Sequence, residues 1–189
     1  KVYMNPSAKD AVCEVLDSGY IGQGPKVDEF EKQIGDYFGN KKVITTNAGT
    51  SALHLALHLL KKPKPHWNED VFQGVAFVSH NWPGIEDGDE VLATPLTCTA
   101  SNWPIVANNL KIKWVDIDPT TLNMDLEDLE RKMTPKTKAI MGVHWGGYPL
   151  DLDEIRNIRA RFRKEHGWAP ALIEDGAHSI GTKYKGKYL

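Results

Sequence analysis

The sequence predicts an α/β domain: a mainly parallel sheet covered by helices on both faces, an α/β/α sandwich. Three observations carry that prediction. Short apolar runs alternate with helical patterns from about residue 43 to residue 174, the order expected of strands joined by crossover helices. The helical pattern over 50–60 is apolar almost all round, as in a helix buried between other elements. Polar and aromatic clusters follow four of the predicted strands, where open α/β sheets bind their ligands.

Taken in order, residues 26–37 place Val27, Phe30, Ile34, Tyr37 and Phe38 near one helical face, and Gly39-Asn40 ends that helix. The β-branched run 43–46 reads as a strand, followed by Asn47-Ala48-Gly49 and the apolar helix at 50–60. Residues 61–87 interrupt the alternation. They hold Pro63, Pro65, Pro83, two of the six tryptophans and a possible strand at 75–78, and read as an excursion inserted before the next strand. The alternation then resumes with strands at 90–94, 113–117, 139–144 and 171–174, and helices at 99–109, 125–133 and 152–166. The charged stretch from Lys183 to Tyr188 reads as a solvated strand or turn.

Composition bounds the function. With 189 residues the chain suits one domain, and 41% hydrophobic residues supply a sizeable core. Basic and acidic residues nearly balance, 23 against 25, without a basic stripe, which argues against a nucleic-acid partner. Two cysteines, Cys13 and Cys98, are too few for a disulfide framework, so a cytoplasmic compartment is expected. The longest strongly apolar stretch, 52–60, is too short to span a bilayer, and the N-terminus lacks the apolar core of a signal peptide, so no membrane association is expected.

Each polar cluster has a chemical reading and a plain one. Gly49-Thr50-Ser51 opens a helix, whose free N–H groups and two hydroxyls suit a phosphate; an ordinary N-cap would look the same. Asp175, after an apolar strand and three residues before His178, could keep a ring nitrogen protonated, or simply cap a turn. His144-Trp145-Gly146-Gly147 joins a titratable ring, a stacking ring and a turn, and Thr97-Cys98-Thr99 precedes a helix; neither decides anything alone.

Order decides more than any single cluster. The chain carries Gly22-Gln23-Gly24-Pro25 with Phe30-Glu31, then Asn47-Ala48-Gly49-Thr50-Ser51-Ala52-Leu53, then Gly88-Asp89-Glu90-Val91. Thr94-Pro95 with Thr97 and Thr99-Ala100 follow, then Asp116-Ile117-Asp118 with Thr121-Leu122-Asn123. His144-Trp145-Gly146 and Ile173-Glu174-Asp175 with Ala177-His178 complete the series. In these seven blocks the chain resembles the DegT/DnrJ/EryC1/StrS aminotransferases. That fold-type I family depends on pyridoxal 5′-phosphate (PLP) and acts largely on nucleotide-linked keto-sugars. The resemblance runs almost end to end and is broken only at 61–87.

The resemblance implies that residues 1–189 are the N-terminal part of the PLP-binding large domain. Gly49, Thr50 and Ser51 would hold the cofactor phosphate, Asp175 would pair with the pyridine nitrogen, and His178, where the family often has glutamine, would approach the phenolic oxygen. Cys98 stands where the family commonly has a ring stacked on the pyridine, a role that Trp145 or Trp103 could take over. His144 and Trp145 would meet the substrate, and no metal site is implied. The Schiff-base lysine and the smaller C-terminal domain would lie beyond Leu189, so no catalytic residue is expected in this chain and it would be inactive alone. The implied reaction moves an amino group from glutamate to a keto-sugar, in a homodimer. A sugar dehydratase on the same scaffold, with histidine at the lysine position, and a non-catalytic partner subunit are the alternatives.

Overall fold

The computed structural model describes residues 3–61 and 82–189, so the expected strand at 75–78 and most of the excursion lie outside the described residues. The chain forms two compact units, residues 1–46 and residues 47–189.

In the first unit, helix α1 spans Ala8–Ser18 and helix α2 spans Pro25–Phe38. Proline in the first turn of α2 brings a φ already set for a helix. Both helices stop on a glycine in the left-handed region, Gly19 at φ 76° and Gly39 at φ 69°. Helix α1 was not anticipated from the sequence, because its apolar positions Val12 and Leu16 stand among polar residues and remain exposed. On α2, Val27, Ile34 and Phe38 are half-buried while Phe30 and Tyr37 are exposed.

Among the described residues, the expected strand at 43–46 forms no sheet pairing. The Thr45 N–H and hydroxyl both donate to the Glu31 carboxylate, at 2.7 Å and 2.8 Å, so the donor that a ladder would use is spent on helix α2. The backbone bond and then the hydroxyl hold the Glu31 carboxyl below its ordinary value.

The second unit is the expected parallel sheet. Its strands are β1 (Glu90–Ala93), β2 (Lys111–Trp114), β3 (Thr137–Val143) and β4 (Ala171–Asp175), in the order β2-β1-β3-β4. All three pairings are parallel. Helix α4 (Thr99–Ala107) joins β1 to β2, α5 (Leu126–Lys132) returns to β3, and α6 (Leu152–His166) leads to β4. The chain thus reverses direction across the sheet at β1, and the β1/β3 crevice is its switch point.

Alternation along the strands divides the interior in two. Val91, Ala93, Ala139, Met141, Ala171 and Ile173 pack with Leu53 and Leu57 of helix α3 (Gly49–Leu59) and Ile105 of α4. Leu92 and Ile140 pack on the other side with Leu129 of α5 and Ile155 and Ile158 of α6. Helix α3 is less enclosed than its composition predicts, since Leu55 and Leu59 are 39% and 48% exposed. Strand β2 begins and ends earlier than the expected 113–117. The Asp116 N–H is taken by the Asp128 carboxylate at 2.8 Å, which closes the ladder.

Residues 183–188 form a hairpin of β5 (Lys183–Tyr184) and β6 (Lys187–Tyr188). Its two turn residues, Lys185 and Gly186, both have positive φ, as a tight two-residue hairpin requires.

Candidate functional site

Strand β4 ends on two carboxylates that point opposite ways, because successive side chains alternate across a sheet. Asp175 continues the row of Ala171 and Ile173 toward α3 and α4, and Glu174 continues the row of Leu172 toward α6. The sheet therefore makes two different polar sites from adjacent residues.

On the first face, Asp175 is gripped at both oxygens. Ser101 Oγ donates to Oδ2 at 2.6 Å, and the Ala177 N–H donates to Oδ1 at 3.1 Å. Thr97 Oγ1 lies 2.7 Å from Ser101 Oγ. Because the Ser101 proton goes to an acceptor-only carboxylate, Thr97 is the donor of that second bond. A carboxylate has about four lone-pair positions, so two acceptor sites remain for a donor outside the protein.

Helix α3, on the same face, packs on α4 and β4. It begins at Gly49 behind Ala48, which gives no side-chain cap. Thr50 and Ser51 are thus inside the first turn rather than at the cap position, which removes the plain N-cap reading. Gly49 is exposed, and a Cβ added there meets nothing within 4 Å, so the space before the helix is open. The Ser51 and Ala52 N–H groups donate to the Ala48 carbonyl at 3.0 Å and 3.1 Å, so the Gly49 and Thr50 N–H groups, with the helix dipole behind them, are the ones that suit a phosphate. Among the described residues no hydrogen bond ties residues 49–51 to Asp175 or His178; packing alone brings α3 to this face.

Cys98 is the residue before α4 and is exposed, while Trp103 on α4 is 62% exposed. The loop after β3 is a single 3-10 turn, Trp145–Gly147, and it meets the loop after β4. His178 Nδ1 accepts the Gly146 N–H at 3.3 Å, which leaves Nε2 as the protonated, outward nitrogen of this exposed ring. The Trp145 and His178 rings meet edge to face at 5.8 Å between centroids. Gly147, at φ 84°, makes this approach possible: an added Cβ would lie 2.8 Å from the His178 carbonyl oxygen.

His144 departs from expectation. Its ring is 1% exposed, and it turns toward Glu174 rather than Asp175. Nδ1 accepts the Leu150 N–H at 3.1 Å, so Nε2 carries the proton directed at Glu174 Oε2, 3.1 Å away. With both nitrogens engaged and no accessible surface, His144 braces the 145–150 loop and does not contact a substrate directly. The period of the strand is the cause, since position 144 shares its face with Ile140.

Two residues at this site escaped the sequence reading. Ser101 could have been suspected as a hydroxyl in the first turn of the helix that follows the Thr97-Cys98-Thr99 cluster. Asn123 could not, because its contacts are remote in sequence: its Oδ1 accepts the Trp145 N–H at 2.9 Å and its Nδ2 donates to the Tyr148 carbonyl at 3.0 Å. A separate cleft of about 680 Å³ lies beside Asp118, Asn123, Tyr148, Asp151 and Tyr184. It excludes Asp175, His178 and α3, and Asp125 and Asp151 along it are occupied as helix caps. No group of His, Cys, Asp and Glu among the described residues is arranged to hold a metal ion, and no helix among them is long and apolar enough to cross a membrane.

The fold has counterparts among known proteins. The chain is similar to the crystal structure of AtS13 from Actinomadura melliaura, with 48% identity, all of this chain and 45% of that one covered, and a TM-score of 0.86. The sugar aminotransferase CalS13 from Micromonospora echinospora matches at 42% identity over the same shares, with a TM-score of 0.84. The E. coli GDP-4-keto-6-deoxy-D-mannose-3-dehydratase with bound hydrated PLP matches at 27% identity over all of this chain and 43% of that one, with a TM-score of 0.79. The chain spans 39% and 38% of the length of two curated relatives that it matches at 36% and 35% identity. The model of the DegT/DnrJ/EryC1/StrS aminotransferase family matches residues 3–66 and 74–189, with a gap only at 67–73 inside the excursion. The chain belongs to the DegT/DnrJ/EryC1/StrS aminotransferase family.

Proposed function

We propose that this chain supplies the N-terminal half of a PLP site in an aminotransferase that moves an amino group from glutamate to a nucleotide-linked keto-sugar. The observation that carries the proposal is Asp175, a carboxylate fixed at the carboxyl end of β4 by Ser101 and the Ala177 N–H with acceptor positions to spare. PLP, when bound, supplies an electron sink that stabilises negative charge on the substrate carbon. Asp175 would accept a hydrogen bond from the pyridine N–H, and its negative charge would favour the protonated ring. Gly49, Thr50 and Ser51 would hold the phosphate through the Gly49 and Thr50 N–H groups and the Thr50 and Ser51 hydroxyls. His178 offers its Nε2–H to the phenolic oxygen, and Trp145 lies edge-on to His178 at the substrate side.

Cys98 occupies the α4 end of the site, where its small side chain leaves room for a ring from elsewhere to stack on the cofactor. In this reading the lysine that anchors the cofactor lies beyond Leu189. Lys185 is paired with Asp153 on α6, and Lys183 rests on the Tyr188 ring of the hairpin, 4.6 Å from its centroid. Self-association into a homodimer fits the apolar side chains left exposed in the first unit, among them Tyr3, Met4, Leu16 and Ile21. The dehydratase alternative is weaker, since the dehydratase is 27% identical and CalS13 is 42% identical.

The test is calorimetric titration of the protein carrying this chain with pyridoxamine 5′-phosphate, which needs no lysine bond. Binding is expected, with a loss of more than about tenfold in affinity on Asp175→Asn, the size of a lost hydrogen bond between charged partners. Unchanged affinity in that variant, or no binding by the unmodified protein, overturns the reading.

A further inference from the structure

Asp175 alone does not explain why a hydroxyl 74 positions away in sequence is buried against it. Ser101 is 1% exposed and sits in the first turn of α4. Its Oγ, 2.6 Å from Asp175 Oδ2, and Thr97 Oγ1, 2.7 Å behind it, form a chain of donors that all point toward the carboxylate. The Ser101 backbone N–H is separately satisfied by the Cys98 carbonyl at 3.0 Å, so the side chain does not cap the helix. With the Ala177 N–H on Oδ1, the carboxylate is held at both oxygens and cannot rotate without losing a bond.

Building on the cofactor reading above, we propose that Ser101, backed by Thr97, is a positioning residue that aims the free lone pairs of Asp175 at the pyridine nitrogen. It thereby sets how strongly the site prefers a ring that can carry a proton there. Ser101 does not touch the cofactor. Its contribution is expressed only through the bond between Asp175 and the ring nitrogen, because the geometry of that bond is what its removal loosens. A hydroxyl that merely filled space would weaken every ligand alike.

The experiment compares pyridoxamine 5′-phosphate with 1-deazapyridoxamine 5′-phosphate, whose ring has C–H in place of nitrogen, by calorimetry on the protein carrying this chain. Ser101→Ala is expected to reduce the preference for the nitrogen-bearing ring by about tenfold, the scale of one hydrogen bond to a charged group. Affinity for the deaza ring should stay within about twofold. Ser101→Thr, which keeps the hydroxyl, is expected to restore the preference, and Thr97→Ala to reduce it by about threefold. Circular dichroism reports whether each variant is folded, and Thr97→Ala carries the test if Ser101→Ala is not. Full preference in the folded alanine variant, or equal losses for both rings, overturns the positioning role while leaving the cofactor reading standing. Failure of the unmodified protein to bind either ring overturns the cofactor reading itself.

Discussion

Asp128→Ala should be among the more damaging substitutions away from the site, and the structure gives the size of the effect. Asp128 is 4% exposed, on helix α5. Its Oδ2 accepts the Asp116 N–H at 2.8 Å and the Lys132 ammonium at 2.7 Å, while Oδ1 meets the Arg131 guanidinium. The bond from Asp116 to a charged acceptor contributes about 1.5–3 kcal/mol. The two cations are 34% and 75% exposed, and such solvent-screened pairs add at most about 0.5 kcal/mol each. Recovering the cost of burying the carboxylate offsets part of this, leaving a net loss of about 2–3 kcal/mol. In a chain of this length that lowers Tm by roughly 4–12 °C.

Asp128→Asn keeps an oxygen for the Asp116 N–H and gives up the charge, so it should cost only about 1 kcal/mol. Burial alone would raise the Asp128 carboxyl, but the Asp116 N–H and the two cations outweigh it and hold it well below the usual carboxylate range. A carboxyl depressed in the folded state contributes stability that is complete above its unfolded value near 3.9, and that stability fades as pH falls toward the folded value. The gap between the native protein and Asp128→Asn should therefore be constant at neutral pH and shrink below about pH 4. Urea denaturation followed by circular dichroism across this range is the assay. An alanine variant within about 0.5 kcal/mol of the native protein at pH 7, or a gap to asparagine that persists at low pH, refutes the reasoning.

Gly147→Ala should destabilise by about 2–4 kcal/mol in thermal melts, since it places a Cβ 2.8 Å from the His178 carbonyl oxygen at a φ of 84°; a change below about 1 kcal/mol would show that the two loops do not approach so closely. His144→Phe should cost about 2–3 kcal/mol by orphaning the Leu150 N–H. It should also accelerate hydrogen exchange at the Leu150 amide, and equal exchange in both proteins would remove the bracing role.

The sheet was legible because β1, β3 and β4 are apolar on both faces, which only a strand covered on two sides requires. Local energetics misled at two points. Residues 43–46 have strand composition, yet a carboxylate from α2 captures the Thr45 N–H, and composition cannot reveal a partner 14 positions away. Helix α1 carries too few apolar residues to announce itself, as its exposed Val12 and Leu16 attest. At the candidate site, the structure puts Asp175 at the end of β4 and Thr50 and Ser51 in the first turn of α3, as the sequence pattern suggested. The error at His144 was one of direction. Being next to a strand end says where a residue lies along the chain, whereas parity says which side of the sheet its ring faces.

Parity also explains why Glu174 and Asp175 serve as a pair. One strand end must do two things at once: present a charge to a ligand on the α3/α4 side and fasten the 145–150 loop on the α6 side. Adjacent carboxylates do both, because the pleat sends Asp175 to Ser101 and Glu174 to His144. The lengths suit the tasks, the shorter side chain meeting a hydroxyl 2.6 Å away on a neighbouring helix and the longer one reaching the His144 ring just after β3. The two sites are therefore not independent. A slip of β4 by one residue against β3 would exchange their faces, stranding Ser101 without an acceptor and His144 without a partner. The register Gly142 with Glu174 and Val143 with Asp175 is thus fixed by polar bonds on both faces as well as by the apolar rows beneath them. A site whose own carboxylate helps set the strand register holds that carboxylate in one direction.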